Sequence, residues 1–239
     1  MKKIIWLITL FGLFYLFGAV TVQYRLFPFE QIVKLRNSFK ANPILVKPYY
    51  IDKSSQFKVL SKNDKYKIVM IGDSITDGAE WYELLNIDNI QNRGIGGDTT
   101  DGLLARLDSI NQSIKKAFIM IGINDIGMYK SIDEIYDNYV KIINTLEEKG
   151  IKIYIQSTLY VGKNYPNSKN INLKVDELNK KLKELAKNKD LTFINLNKIL
   201  APNGYLDNKY TNDNVHLNGV AYLLWADEIK DYIKNYILF

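Results

Sequence analysis

From Lys65 onward the chain repeats one pattern, a short apolar run of strand length followed by a longer amphipathic segment. The runs fall at 67–71, 87–92, 117–121, 151–157 and 191–195, and the amphipathic segments at 80–85, 100–113, 131–149, 172–188 and 219–236. Apolar runs without strict alternation suit strands buried on both faces, and a helix between successive strands makes a crossover. The pattern therefore predicts βαβ units in a parallel sheet with helices on both sides. Such a sheet binds ligands outside the carboxyl ends of its strands, so residues just after the apolar runs carry most of the functional information. With 239 residues, 47% of them hydrophobic, the chain can bury one sizeable core, and no internal repeat or low-complexity linker indicates a second folded domain.

Three of these run ends and one late loop hold residues that could do chemistry. The first run stops at Gly72-Asp73-Ser74, which puts Ser74 at a strand end. Taken alone it reads as an N-cap for the following helix. The second run leads into Asn92-Arg93-Gly94-Ile95-Gly96-Gly97-Asp98-Thr99-Thr100. This stretch lacks both the G-x-G-x-x-G spacing and the lysine of a phosphate loop, which leaves Gly97 as a residue whose amide can point into a site. After the third run comes Gly122-Ile123-Asn124-Asp125, where Asn124 is either a turn former or a carboxamide donor to a developing oxyanion. The only histidine, His216, stands three residues after Asp213 in a loop before the last helix. A carboxylate at that spacing can orient Nδ1 while Nε2 faces a nucleophile, and a serine needs such a base.

Together the blocks Gly72-Asp73-Ser74, Gly97, Gly122-Ile123-Asn124-Asp125 and Asp213-Asn214-Val215-His216 resemble the four blocks of the SGNH, or GDSL, hydrolases. Gly94 to Thr100 with Leu104-Ala105-Arg106-Leu107, and the ending Val215-His216-Leu217-Asn218-Gly219, are especially similar to the platelet-activating-factor acetylhydrolase catalytic-subunit branch. The resemblance covers about Tyr49 to Tyr236. It implies a three-layer α/β/α flavodoxin-like fold with a five-stranded parallel sheet and metal-free, cofactor-free turnover through an acyl-enzyme. It also implies Ser74 as nucleophile, His216 as general base, Asp213 as its partner, and an oxyanion hole from the amides of Ser74 and Gly97 with the Asn124 side chain. One departure is Asp125, where the mammalian branch has a second asparagine and many other members have aspartate.

Upstream, Lys2 and Lys3 precede an uncharged apolar run from Ile4 to Val22, long enough for a transmembrane helix of ~20 residues. A cleaved signal peptide and a buried helix are the alternatives. The length of the run and the poor cleavage signature at Phe17-Gly18-Ala19-Val20 favour an uncleaved anchor over residues 1–25. Residues 26–48 then read as a juxtamembrane linker, with an amphipathic stretch from Pro28 to Asn42, and 49–239 as the hydrolase domain. Arg25, Lys34, Arg36 and Lys40 follow the span, yet long downstream domains often translocate past such charges, so the domain is expected outside the cytoplasmic membrane.

Composition narrows the chemistry further. The absence of cysteine excludes disulfides, thiolate nucleophiles and cysteine metal sites, and one histidine argues against a histidine-rich metal centre. A net charge of +6, carried by scattered lysines, reads as a solvated surface rather than a nucleic-acid groove. Trp81 and Tyr82 after the nucleophile turn, and Tyr160 in the loop 158–167, are the candidate walls of a cleft. The expected substrate is a short acyl ester, acetyl by resemblance, of a glycan or small molecule. A lysophospholipase or thioesterase acting on lipid acyl chains, and a glycan-binding protein without activity, are the rivals, and the oligomeric state is left open.

Overall fold

The structure, a computed structural model, describes residues 2–24, 26–38 and 44–234. Pro43, Arg25 and the last two residues of the expected final helix lie outside the described residues. The chain divides into two compact units, Met1–Ala41 and Asn42–Phe239. The first holds α1 (Lys2–Tyr24) and α2 (Phe29–Ser38). Within α1, Ile5–Tyr24 has a mean hydropathy of 2.1 and is 6% buried. That length and exposure fit a bilayer span or a signal sequence and do not fit the core helix of a soluble protein.

The second unit begins its helices with α3 (Pro48–Leu60), followed by β1 (Ile68–Gly72), α4 (Ser74–Asp77), α5 (Trp81–Leu85), β2 (Ile90–Gly94) and α6 (Thr100–Leu104). Then come β3 (Lys116–Met120), α7 (Ile123–Gly127), α8 (Ile132–Glu148), β4 (Lys152–Gln156), α9 (Ser168–Asn188), β5 (Thr192–Ile194), α10 (Asn197–Leu200) and α11 (Gly219–Lys234). All five strands are parallel, in the flavodoxin-like order β2-β1-β3-β4-β5. The chain steps from β1 to one side and from β2 back to the other, so right-handed crossovers place the intervening helices on opposite faces. Accordingly α5 packs with α11 on one face, where Trp81 and Trp225 meet edge to face at 4.7 Å, and α6, α8 and α9 pack in succession on the other. Every residue of β1 and of β3 is buried, as expected for a sheet covered on both sides.

Two local expectations give way to tertiary contacts. The amphipathic segment 100–113 does not run as one helix: α6 ends at Leu104 and a single 3₁₀ turn, Leu107–Ser109, follows. Between them Arg106 turns inward to bond Asp98 Oδ2 and the Gly72 carbonyl. The stretch leading to β1, expected as linker and lead-in, contains the 13-residue helix α3. Tyr50 and Phe57, seven residues or two turns apart, bury its inner face, and together with Ile44 and Ile95 they make a small second core. Ile44 is fully buried, so the folded domain already includes residues assigned to the linker.

Candidate active site

Strand order reverses between β1 and β3, and the residues singled out at run ends converge there. Beyond β1, Asp73 Oδ1 accepts the Ile75 amide at 3.0 Å and caps α4, of which Ser74 is the first residue. The short helix is held from several sides. Tyr222 donates to the Ile75 carbonyl at 2.8 Å, and Trp81 Nε1 donates to the Thr76 carbonyl at 3.1 Å. Asn92 Nδ2 lies within 3.0–3.1 Å of the carbonyls of Thr76, Asp77 and Ala79. Gly94 is needed because a Cβ there would run into the backbone of Asp77. These contacts tie the Ser74 turn to β2 and α11.

The histidine loop reaches the same place from the far end of the chain. A bridge between Thr211 and Leu217 closes the loop, and the Gly162 amide donates to the Asn214 carbonyl at 2.7 Å. Inside it the two oxygens of Asp213 do different work. Oδ1 accepts the amides of Val215 at 2.9 Å and His216 at 2.8 Å, whereas Oδ2 lies 2.6 Å from His216 Nδ1. His216 Nε2 in turn lies 2.9 Å from Ser74 Oγ. Partial burial works against ionisation of Asp213, but the bonds from the His216 ring and from the two amides, with the imidazole charge, hold its carboxyl down at about 2. An ionised Asp213 keeps the proton on Nδ1 and leaves Nε2 free to accept one.

Gly97 and Asn124 follow β2 and β3, the neighbours of β1. Gly97 has φ +74°, a left-handed conformation that glycine adopts without strain. Asn124 Nδ2 donates to the Asp98 carbonyl at 2.9 Å, which leaves its second hydrogen available. A buried polar network fixes these two segments. Asp125 accepts Thr100 Oγ1 at 2.7 Å and the Thr100 amide at 3.0 Å. Asp98 pairs with Arg106 at 2.7 Å, and Arg106 also reaches the Gly72 carbonyl at 3.2 Å, joining the glycine loop to the end of β1. Burial raises the pKa of all three carboxyls: Asp73 to about 7, opposed by the Ile75 amide; Asp98 to about 6, opposed by Arg106; and Asp125 upward, opposed by Lys130.

Of the expected cleft walls, Trp81 and Tyr82 need correction. Trp81 is 2% exposed, with its ring packed on Trp225 and Tyr222, so it is a core residue and cannot contact a substrate. Tyr82 is exposed but lines a hollow of about 430 Å³ with Ile68, Lys67, Lys116 and Ile233, at the amino ends of the strands and away from Ser74. Tyr160 follows β4, and its hydroxyl donates to Asp176 on α9. Sequence reasoning missed the first turns of α3 as part of this region. Tyr49 donates to Asp77 Oδ2 at 2.6 Å and its ring lies over Gly96, and Lys53 pairs with Asp77 Oδ1 at 3.0 Å. Pro48, which opens α3, was the available signal.

A parallel sheet in this strand order, with serine, histidine and asparagine gathered at its switch point, is the architecture of an SGNH-type hydrolase. The chain matches the model of the GDSL-like lipase/acylhydrolase family over residues 70–224, more than half its length. It belongs to that family. A Streptococcus pneumonia structure described as a platelet activating factor is similar at 27% identity, covering 85% of this chain and 98% of that one, with a TM-score of 0.72. An acetylxylan esterase from Geobacillus stearothermophilus shares the fold at 20% identity and a TM-score of 0.59, over 71% of this chain and 94% of that one. An N-acylneuraminate cytidylyltransferase from Streptococcus agalactiae serotype III (strain NEM316) is 26% identical over 170 residues, 68% of this chain. The chain spans only 39% of the length of that curated relative.

Proposed function

We propose that this chain hydrolyses short acyl esters, acetyl above all, of carbohydrate or small-molecule alcohols, with Ser74 as nucleophile, His216 as general base and Asp213 as the residue that orients it. The observation that carries the reading is the line from Asp213 Oδ2 through the only histidine to Ser74 Oγ, in steps of 2.6 and 2.9 Å. His216 Nε2 takes the hydroxyl proton as Ser74 Oγ attacks the ester carbonyl. Negative charge then develops on the carbonyl oxygen, where the amides of Ser74 and Gly97 and the carboxamide of Asn124 are the available donors. His216 returns its proton to the leaving alkoxide, and water, activated by the same imidazole, releases the acid from the acyl-enzyme.

Acetylated sugars as substrates find support in the acetylxylan esterases among structures of this fold and in the sugar acid named in the Streptococcus agalactiae relative. The apolar span Ile5–Tyr24 supports a membrane anchor, and the placement of the catalytic domain outside the cytoplasm rests on the tendency of long downstream domains to translocate past flanking charges. The test is hydrolysis of 4-nitrophenyl esters from acetate to palmitate by the detergent-solubilised chain and its Ser74→Ala variant, together with fluorophosphonate labelling. The reading expects a rate greatest at acetate, lost in the variant, and an adduct on Ser74. A rate that climbs with acyl length would move the substrate to lipids, and no Ser74-dependent rate or adduct would refute the esterase site.

A further inference from the structure

The segment just before α3 lies outside the part of the chain that matches the family, yet it stands over the loop that carries Gly97. A Cβ built on Gly97 would stand 3.6 Å from Lys47 Nζ and 3.7 Å from Ile44 Cδ1. The ammonium is thus beside the glycine whose amide is assigned to the oxyanion hole. Its backbone is fixed on both sides: the Lys47 amide donates to the Ile44 carbonyl at 3.0 Å, and the Lys47 carbonyl accepts the Ile51 amide at 3.1 Å. Ile44 is fully buried, and Tyr50 donates to the Gly102 carbonyl at 2.6 Å, which pins the start of α3 to α6. Asp77 completes the clamp by accepting from Tyr49, the Gly96 amide and Lys53.

The neighbouring cation, Lys53, is neutralised by Asp77 at 3.0 Å. Lys47 has no such partner: among the described residues it forms no ion pair, and its side chain is exposed. A rigidly based, uncompensated ammonium next to the site where the ester carbonyl would sit attracts an anion on the substrate itself. An acetyl group carries no charge, so the anion must lie on the alcohol portion.

We propose that Lys47 is a specificity-determining residue that binds a carboxylate on the alcohol moiety, so that the enzyme prefers acyl esters of sugar acids and other carboxylated alcohols over neutral ones. The proposal rests on the Ser74 esterase reading. Its contact would be solvent-exposed, which limits the effect to roughly two- to fivefold in kcat/KM.

The test compares 3-acetoxybenzoate with its near-isosteric neutral counterpart 3-acetoxybenzamide, using the full-length chain, Lys47→Gln and Lys47→Arg. The expected result is a carboxylate-to-amide ratio of kcat/KM that is higher in the wild type than in Lys47→Gln by that factor, is kept in Lys47→Arg, resides mainly in KM and shrinks as salt is added. A ratio unchanged by Lys47→Gln overturns the proposal while leaving the esterase site standing. Lys47→Gln slowing both esters equally also overturns it, because the lysine would then act on the oxyanion and not on the alcohol. Absence of a Ser74-dependent rate on both esters overturns the esterase reading, and this inference with it.

Discussion

Replacing Asp213 by asparagine separates folding from catalysis because the two carboxylate oxygens serve different partners. Oδ1 holds the loop by accepting the amides of Val215 and His216 at 2.9 and 2.8 Å, and a carboxamide oxygen can take that place. The carboxamide nitrogen then faces His216 Nδ1, which sits 2.6 Å from Oδ2. A donor there obliges Nδ1 to accept, which moves the ring proton to Nε2. Nε2 lies 2.9 Å from Ser74 Oγ and would donate to it instead of taking its proton. In the Ser-His-Asp template this wrong tautomer lowers kcat by about 10⁴, and Asp213→Asn is expected to lose roughly 10³–10⁴ in kcat on 4-nitrophenyl acetate. The ion pair is half exposed and so contributes under ~1 kcal/mol to stability, which keeps the melting temperature within ~4 °C of the wild type. Kinetics with circular-dichroism melting decides the matter. A variant within tenfold of the wild-type kcat, or one that fails to fold, would refute the division of labour between the two oxygens.

Three further outcomes follow from the buried residues around the site. Burial holds Asp73 at about 7 against an ordinary 3.8, so the folded chain binds its proton more tightly than the unfolded chain, and stability falls as pH rises through that interval. Asp73→Asn, which can still cap α4, should gain on the wild type by up to about 4 kcal/mol between pH 4 and pH 8. Urea denaturation at the two pH values measures it, and an equal difference at both would contradict the assignment. Arg106→Met strands the fully buried Asp98 without its partner and should destabilise by about 3–5 kcal/mol, with Asp98→Asn in the same chain restoring much of the loss. Trp81→Ala removes a core ring packed on Trp225 and should lower stability by about 3–5 kcal/mol. A change in KM without loss of stability would return Trp81 to the substrate cleft.

What the sequence determined by itself was the sheet and the addresses of the residues at its edge. Five apolar runs became five parallel strands, and Ser74, Gly97 and Asn124 emerged just past β1, β2 and β3. This much is legible because alternation of strand and helix lengths depends on local periodicity, and because glycine, aspartate and asparagine terminate strands through short-range backbone chemistry. The Asp213-to-His216 spacing is local in the same way, since both residues share one tight loop. Tertiary structure alone decided which way side chains turn once they leave an element. Trp81 looked available after the Ser74 turn, but α11 covers it with Trp225, a residue 144 positions later in the chain. Arg106 ended a helix that its own segment would have continued, because a buried charge at Asp98 drew it inward. Residues 44–53 carried no periodic signal strong enough to place them. Only the packing of Ile44, Tyr49 and Tyr50 against the glycine loop brought Lys47 to the site, through contacts between segments that no local pattern in either one encodes.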